Sequence, residues 1–308
     1  MTIQDALVAY RTYAKAEGKS PKTVAWVVSS VGYFADFLGT DKQDIASITG
    51  HDLRRFIIAL QGKQKFNNHP YNKPQKGKLS PQSVDTYCRG IKAFFSFLHR
   101  EGFTQTNPME KVKLPKLPEL LIPTLTQKEV ERLLAQPNKQ SSQGFRDFAI
   151  LLTFVDTTVR LSELAELKAS DIDYEQSYFK VMGKGKKERY VPFGRRVARV
   201  LMKYQLKHRP EPIGTENFWL KKDGAPLPAK RIEKLVSHYG RKAGLRVYPH
   251  KMRHTSSVLY LRNGGDVFSL QKKLGHRSLT MTRRYSNLAD SDVRDKHLKY
   301  GVADRLNI

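Results

Sequence analysis

One cysteine in 308 residues, Cys88, excludes an intrachain disulfide and fits a reducing compartment. It falls within a helical pattern, which suits packing better than a catalytic thiol. Long apolar runs are also missing. The longest, such as Phe148-Ala149-Ile150-Leu151-Leu152-Thr153-Phe154-Val155, stop far short of the roughly eighteen residues of a membrane helix. The residues after Met1 form a polar amphipathic pattern without the apolar centre of a signal peptide. Acid is scarce too, with 29 Asp and Glu against 55 Lys and Arg, a formal charge of +26. The expectation is a soluble, cytoplasmic chain, with no membrane partner, that binds a polyanion; nucleic acid is the first candidate.

What is present is unevenly spread. Residues 1–120 hold 18 Lys and Arg against 10 Asp and Glu, net +8, and residues 121–308 hold 37 against 19, net +18. A chain of this length builds two cores, and the second is expected to grip phosphate harder. In the first, Ser20-Pro21 reads as a cap and first-turn proline before Val24, Val27, Val31, Phe34 and Leu38, with Gly39 as the stop. Ser80-Pro81 repeats the device ahead of Val84, Tyr87, Ile91, Phe94, Phe95 and Leu98. With Ile3–Tyr13 and Leu53–Leu60 this predicts an all-α domain over residues 1–114 with no strand, its aromatics in the core rather than stacked on bases.

Residues 62–78 form a loop with five lysines, Lys63, Lys65, Lys73, Lys76 and Lys78, and no acid. Such a loop contacts phosphate or is simply solvated. The Pro-spaced stretch 115–123 cannot be helical and reads as a linker. A capping box at Thr126 and Glu129 opens the second domain, over residues 124–290. Residues 172–192 alternate as a β-hairpin with Gly183-Lys184-Gly185 at its tip, and helices follow. The fold class is mainly α with a small antiparallel β-sheet.

Several motifs then carry chemistry. Attack on a phosphodiester places negative charge on two non-bridging oxygens, which the planar fork of arginine matches. Arg160 and Arg253 are the candidates, although Arg160 with Glu163 one turn away equally fits a structural ion pair. Lys184 between glycines has room to protonate a departing alkoxide or to bind one phosphate. Lys186, Lys187 and Arg189 read as backbone phosphate contacts, and Lys251 and Arg283 join them. His250 and His254 stand at i, i+4, a spacing that suggests zinc; the intervening Lys251, Met252 and Arg253 oppose a dication, so no metal is assigned. His250 and Arg253 share one helix face instead. His276, after Leu274-Gly275, reads as a proton donor or acceptor, or as a cap. Tyr285 is the candidate nucleophile; an ordinary phenol costs about 4 kcal/mol to ionise at pH 7, so attack needs a base or a strong positive potential.

In order and spacing these motifs resemble the tyrosine recombinase and phage integrase family, in particular Xer-like recombinases and mobile-element integrases. Thr157-Thr158-Val159-Arg160-Leu161-Ser162-Glu163-Leu164 matches its Thr-Gly-x-Arg-x-x-Glu-Leu box, with Thr158 where glycine is usual. Lys184 falls on the hairpin lysine, His250-x-x-Arg253 and Leu274-Gly275-His276 on the two later boxes, and Tyr285 on the nucleophile.

The resemblance implies a helical core-binding, SAM-like domain (1–114), a linker (115–123), a mixed α/β tyrosine recombinase catalytic domain (124–290) and a tail (291–308) that contacts a neighbouring protomer. It implies site-specific recombination of double-stranded DNA through a 3′-phosphotyrosyl link, without cofactor or metal, with Arg160 and Arg253 on the phosphorane, His250 and His276 hydrogen-bonded to it and assisting proton transfer, and Lys184 on the leaving 5′-oxygen. It also implies a homo-tetramer on paired sites, monomeric or dimeric off DNA, accessory DNA-bending or directionality factors, and a nucleoid-associated place of action. The tasks that follow are integration and excision of a mobile element or Xer-type resolution. A catalytically silent DNA-binding regulator and a type IB topoisomerase are the alternatives.

Overall fold

The computed structural model describes residues 1–39, 44–65, 75–117, 123–183 and 188–276, with Ser278, Leu279, Thr282, Tyr285 and His297. The chain divides into two units, Met1–Leu120 and Leu121–Ile308.

In the first unit each helix begins where a short polar side chain captures orphan amides. Thr2 caps α1 (Ile3–Ala16) and pairs reciprocally with Asp5. Ser20 caps α2 (Pro21–Leu38), which ends at Gly39 with φ 77°, the left-handed region that glycine enters without cost. Thr49 and Asp52 form the box of α3 (Gly50–Gly62), and Ser80 caps α4 (Pro81–Arg100). The apolar faces of the four meet in one core, where Phe94 and Phe95 are buried and packed edge-on with each other and with Tyr10 and Phe34. Cys88 lies in the same core, and burial pushes its thiol up to about 11, an inert state.

The expectation of no strand in this unit does not hold. β1 (Gln64–Lys65) pairs antiparallel with β2 (Gln75–Lys78). Backbone hydrogen bonds alone can make such a ribbon; it has no apolar face, so its sequence shows no alternation.

The second unit is helical around a three-stranded antiparallel sheet. A Thr126–Glu129 box starts α5 (Gln127–Leu134), and α6 (Ser142–Thr157) runs through the core, burying Phe148, Ile150, Leu151 and Phe154. The short α7 (Leu161–Ala165) follows. The sheet has the order β3 (Ile172–Asp173), β4 (Tyr178–Met182), β5 (Glu188–Pro192), with Phe179 opposite Val191 and Val181 opposite Arg189. Phe179, Val181 and Val191 face the core. Next come α8 (Arg195–Lys203), a π-helical turn at Tyr204–His208, α9 (Ala229–Lys242), α10 (Pro249–Arg262) and α11 (Val267–Leu274). The expected fold class, mainly α with a small antiparallel sheet, is the observed one. Among the described residues no helix is long and apolar enough to cross a membrane.

Candidate active site

The site begins with a costly turn. α6 ends at Thr157, and Thr158 adopts φ 53°, ψ 13°, fully buried. A left-handed conformation costs an L-residue roughly 1–2 kcal/mol, and a β-branched one is a genuine outlier there. The turn redirects the chain so that Arg160 stands at the head of α7, and the Thr158 carbonyl accepts a hydrogen bond from Arg253 Nη1.

Glu163, one turn into α7, organises the cations. Its side chain is only 3% exposed. Oε2 accepts from the Arg160 amide at 2.8 Å and Oε1 from Arg160 Nη1 at 2.7 Å. Arg189 on β5 grips the same carboxylate, Nη2 to Oε2 at 2.8 Å and Nη1 to Oε1. Burial raises the carboxyl's pKa, but the Arg189 and Arg160 hydrogen bonds outweigh it and hold Glu163 below its usual range. The Arg160–Glu163 ion pair that the sequence suggests is thus present. Arg189, which the sequence suggests as a backbone phosphate contact, faces inward on Glu163. Alternation explains it: Arg189 shares the face of Val191, while Glu188 and Tyr190 are exposed.

α10 supplies the second arginine. Arg253 is 4% exposed, and its Nη2 donates to the Leu274 carbonyl at 2.9 Å. Arg160 Nη2 reaches the same oxygen at 3.4 Å, so two elements far apart in sequence converge at one point. Arg160 keeps 39% of its side chain exposed. Burial and the nearby Arg160 push the Arg253 guanidinium down to about 10. At the end of α11, Gly275 turns the chain at φ 66°, and a Cβ there would come within 2.9 Å of the Arg189 stem. His276 follows, its Nδ1 3.0 Å from Thr282 Oγ1. Burial, then Arg253, Arg160 and Arg189, drive the His276 imidazole down to about 4. His250 is lowered by burial, Arg253 and Arg160. Three guanidinium groups face one carboxylate among the described residues, an imbalance that an anion relieves.

Tyr285 is 4% exposed, its ring packed with Val258, Leu261, Leu270 and Leu274. Its hydroxyl lies 2.8 Å from Nδ1 of His254, a residue that the sequence reading weighs only as a zinc ligand. His254 in turn packs edge-on against His250, ring centroids 4.2 Å apart. The i, i+4 histidine pair was the visible signal; its partner 31 residues on comes from the tertiary fold.

Arg160, Glu163, His250, Arg253, His276 and Tyr285 thus lie in one neighbourhood. Lys184, Lys186, Lys187, Arg283 and Lys73 fall outside the described residues, as does the expected tail 291–308 apart from His297. Lys76 and Lys78 are exposed on β2, Lys65 lies on β1, and Lys63 sits 4.4 Å from the Tyr33 ring centroid. Lys251 Nζ donates to the Arg246 carbonyl at 3.2 Å.

Comparison with known proteins gives the family. Residues 123–292 match the phage integrase family. Tyrosine recombinase XerC of Oceanobacillus iheyensis is 32% identical over 303 residues, 96% of this chain and 94% of that one. Tyrosine recombinase XerA of Pyrococcus furiosus is 30% identical over 99% of this chain and 94% of its own. A crystal structure of XerA recombinase covers 99% of both chains at 26% identity, with a TM-score of 0.51. The Tn1549 transposon integrase in complex with transposon right end DNA shares the fold, at 18% identity and a TM-score of 0.75 over 98% of this chain and all of that one. The chain belongs to the phage integrase family of tyrosine recombinases.

Proposed function

We propose that this site-specific tyrosine recombinase cuts and rejoins double-stranded DNA through a 3′-phosphotyrosyl link at Tyr285. The observation that carries the reading is the convergence of Arg160 and Arg253 on the Leu274 carbonyl, with both His250 and His276 in the field of those arginines. In this reading Tyr285 Oη attacks phosphorus, the bond to the 5′-oxygen breaks, and Lys184 protonates the leaving oxygen. The two guanidinium groups bind the non-bridging oxygens as charge develops there. The freed 5′-hydroxyl then attacks the equivalent link on a partner duplex, so phosphodiester energy is conserved.

Residues 1–114 act as the core-binding domain, 115–123 as the linker, 124–290 as the catalytic domain and 291–308 as the contact with a neighbouring protomer. The working assembly is a homo-tetramer on paired sites, acting in the cytoplasm on nucleoid DNA, with accessory DNA-bending or directionality factors. The biological task is integration and excision of a mobile element or Xer-type resolution. The net charge of +26 supports phosphate-dominated affinity. With roughly eight phosphates neutralised, binding weakens by about 10³–10⁵ between 50 and 200 mM salt.

The test is trapping on suicide duplexes made from the DNA that flanks the chain's own gene. Wild type is expected to yield a covalent adduct on a denaturing gel, and Tyr285→Phe none, while binding DNA equally well. An adduct with Tyr285→Phe contradicts the assignment.

A further inference from the structure

We propose that His254 is a catalytic residue of strand transfer, whose Nδ1 takes the phenolic proton of Tyr285 as the oxygen attacks phosphorus. This rests on the reading of Tyr285 as the nucleophile.

Geometry comes first. The 2.8 Å between Nδ1 and the phenol oxygen is hydrogen-bonding distance, and both groups are anchored. The Tyr285 ring is fixed by its apolar pocket. His254 rides on α10, one residue after Arg253. The Thr255 hydroxyl bonds the Lys251 carbonyl and accepts from the Leu125 amide, and the Ser257 hydroxyl bonds the Arg253 carbonyl. The His250 ring braces the imidazole edge-on. With its proton on Nε2, neutral His254 presents a lone pair to the phenol.

Charge state agrees. Among the described residues, the charged and titratable groups facing His254 are His250 and Arg253 on its own helix and Tyr285 from the segment beyond α11. Burial, then His250 and Arg253, push the imidazole down to about 4, so it is neutral at pH 7 and ready to accept. An incoming phosphodiester offsets the neighbouring arginine and raises its proton affinity when the proton must move.

The step also gives the phenolic proton an acceptor in direct contact with the phenol oxygen, which His250 and His276 are not shown to be. At pH 7 only about one ordinary phenol in a thousand is ionised. Lys184 serves the leaving oxygen, and His250 and His276 serve the phosphate. As the Oη–P bond forms and the P–O5′ bond breaks, the proton passes from Oη to Nδ1. In rejoining, the 5′-hydroxyl gives its proton back to the neutral Lys184 amine as the P–O5′ bond forms, the P–Oη bond breaks, and the imidazolium returns its proton to the phenolate.

The experiment is single-turnover cleavage of a suicide duplex by saturating enzyme across pH 5–9, with melting and DNA affinity measured alongside. His254→Asn keeps a hydrogen-bond acceptor near the Nδ1 position but cannot take the proton. It is expected to bind DNA as wild type does, to cleave about 10²-fold more slowly or worse, and to lose the rate's rise with pH at the acid end. A His254→Asn rate and pH profile equal to wild type would overturn the proposal and leave His254 a hydrogen-bonding support. Should that variant melt early, His254→Gln decides, since its amide also accepts from the phenol without taking the proton: slowed cleavage at wild-type DNA affinity supports the base, and cleavage at the wild-type rate overturns it. Failure here stays separate from failure of the nucleophile. An adduct with Tyr285→Phe sinks both readings, whereas a Tyr285-dependent adduct made at full rate by His254→Asn sinks only this one.

Discussion

Helices α4 and α10 are both largely buried, yet they are built on opposite terms. α4 buries Val84, Cys88, Ile91, Phe94, Phe95 and Leu98 in one apolar stripe, and its buried charge, Asp85, reaches out to the exposed Arg89. α10 buries Arg253, Thr255, Ser256 and Ser257 beside Met252, Val258 and Leu261. Hydrophobic burial alone accounts for the first. The second gives over interior space to a guanidinium and to hydroxyls whose bonds return to the backbone, and it gains a rigid mount for His250, Arg253 and His254.

The contrast breaks most visibly at the buried carboxylates. Glu163→Ala strands the inward Arg189 and frees Arg160, and is expected to cost about 3–5 kcal/mol of stability. Asp85→Ala removes a half-exposed pair and is expected to cost within about 1 kcal/mol. Denaturant unfolding of the full chain, read by hydrogen exchange in each unit, checks both. Equal losses would erase the distinction.

Acid sharpens it next. His254 and His276 sit at about 4 in the folded chain against an ordinary 6.5. Between those values the unfolded chain binds more protons, so stability contributed by the neutral imidazoles is present above 6.5 and lost as pH falls toward 4. In the first unit the capping carboxylates Asp5 and Asp52 are lowered from 3.8 by the Thr2 and Thr49 hydrogen bonds, so their contribution is lost only below that value. Hydrogen exchange at pH 5 against pH 7 is expected to show the second unit loosening while the first holds.

The smallest effect changes sign between the units. Thr158→Gly is expected to stabilise by about 0.5–1 kcal/mol, since relief of the left-handed strain exceeds the added chain entropy. Ala93→Gly on the exposed side of α4 is expected to destabilise by about 1 kcal/mol. Thermal melting of the two variants reads the difference; the same sign in both would show that the Thr158 backbone stores no strain.

This contrast also explains what the sequence discloses. The Ser20-Pro21 start, the Gly39 stop and the stripe between them place α2 directly, because one helix buries one face. Arg160, Glu163, Arg253, His276 and Tyr285 are visible because each carries chemistry unusual for its surroundings. The β1–β2 ribbon is not visible, since lysine, glutamine and glycine show no two-residue alternation. The inward face of Arg189 was legible in principle, since it stands two residues from Val191 on a half-buried strand, but its charge suggested phosphate rather than Glu163 as its partner. The His254 contact was not legible, because its neighbour in sequence is another histidine and its partner in space is a tyrosine 31 residues away.

The central claim, that Tyr285 carries the DNA, is tested most directly by digesting the trapped wild-type adduct with protease and nuclease and locating the nucleotide by mass spectrometry. The account predicts a 3′-phosphate esterified to the Tyr285 phenol; a nucleotide on any other side chain, or on a 5′-phosphate, would contradict it.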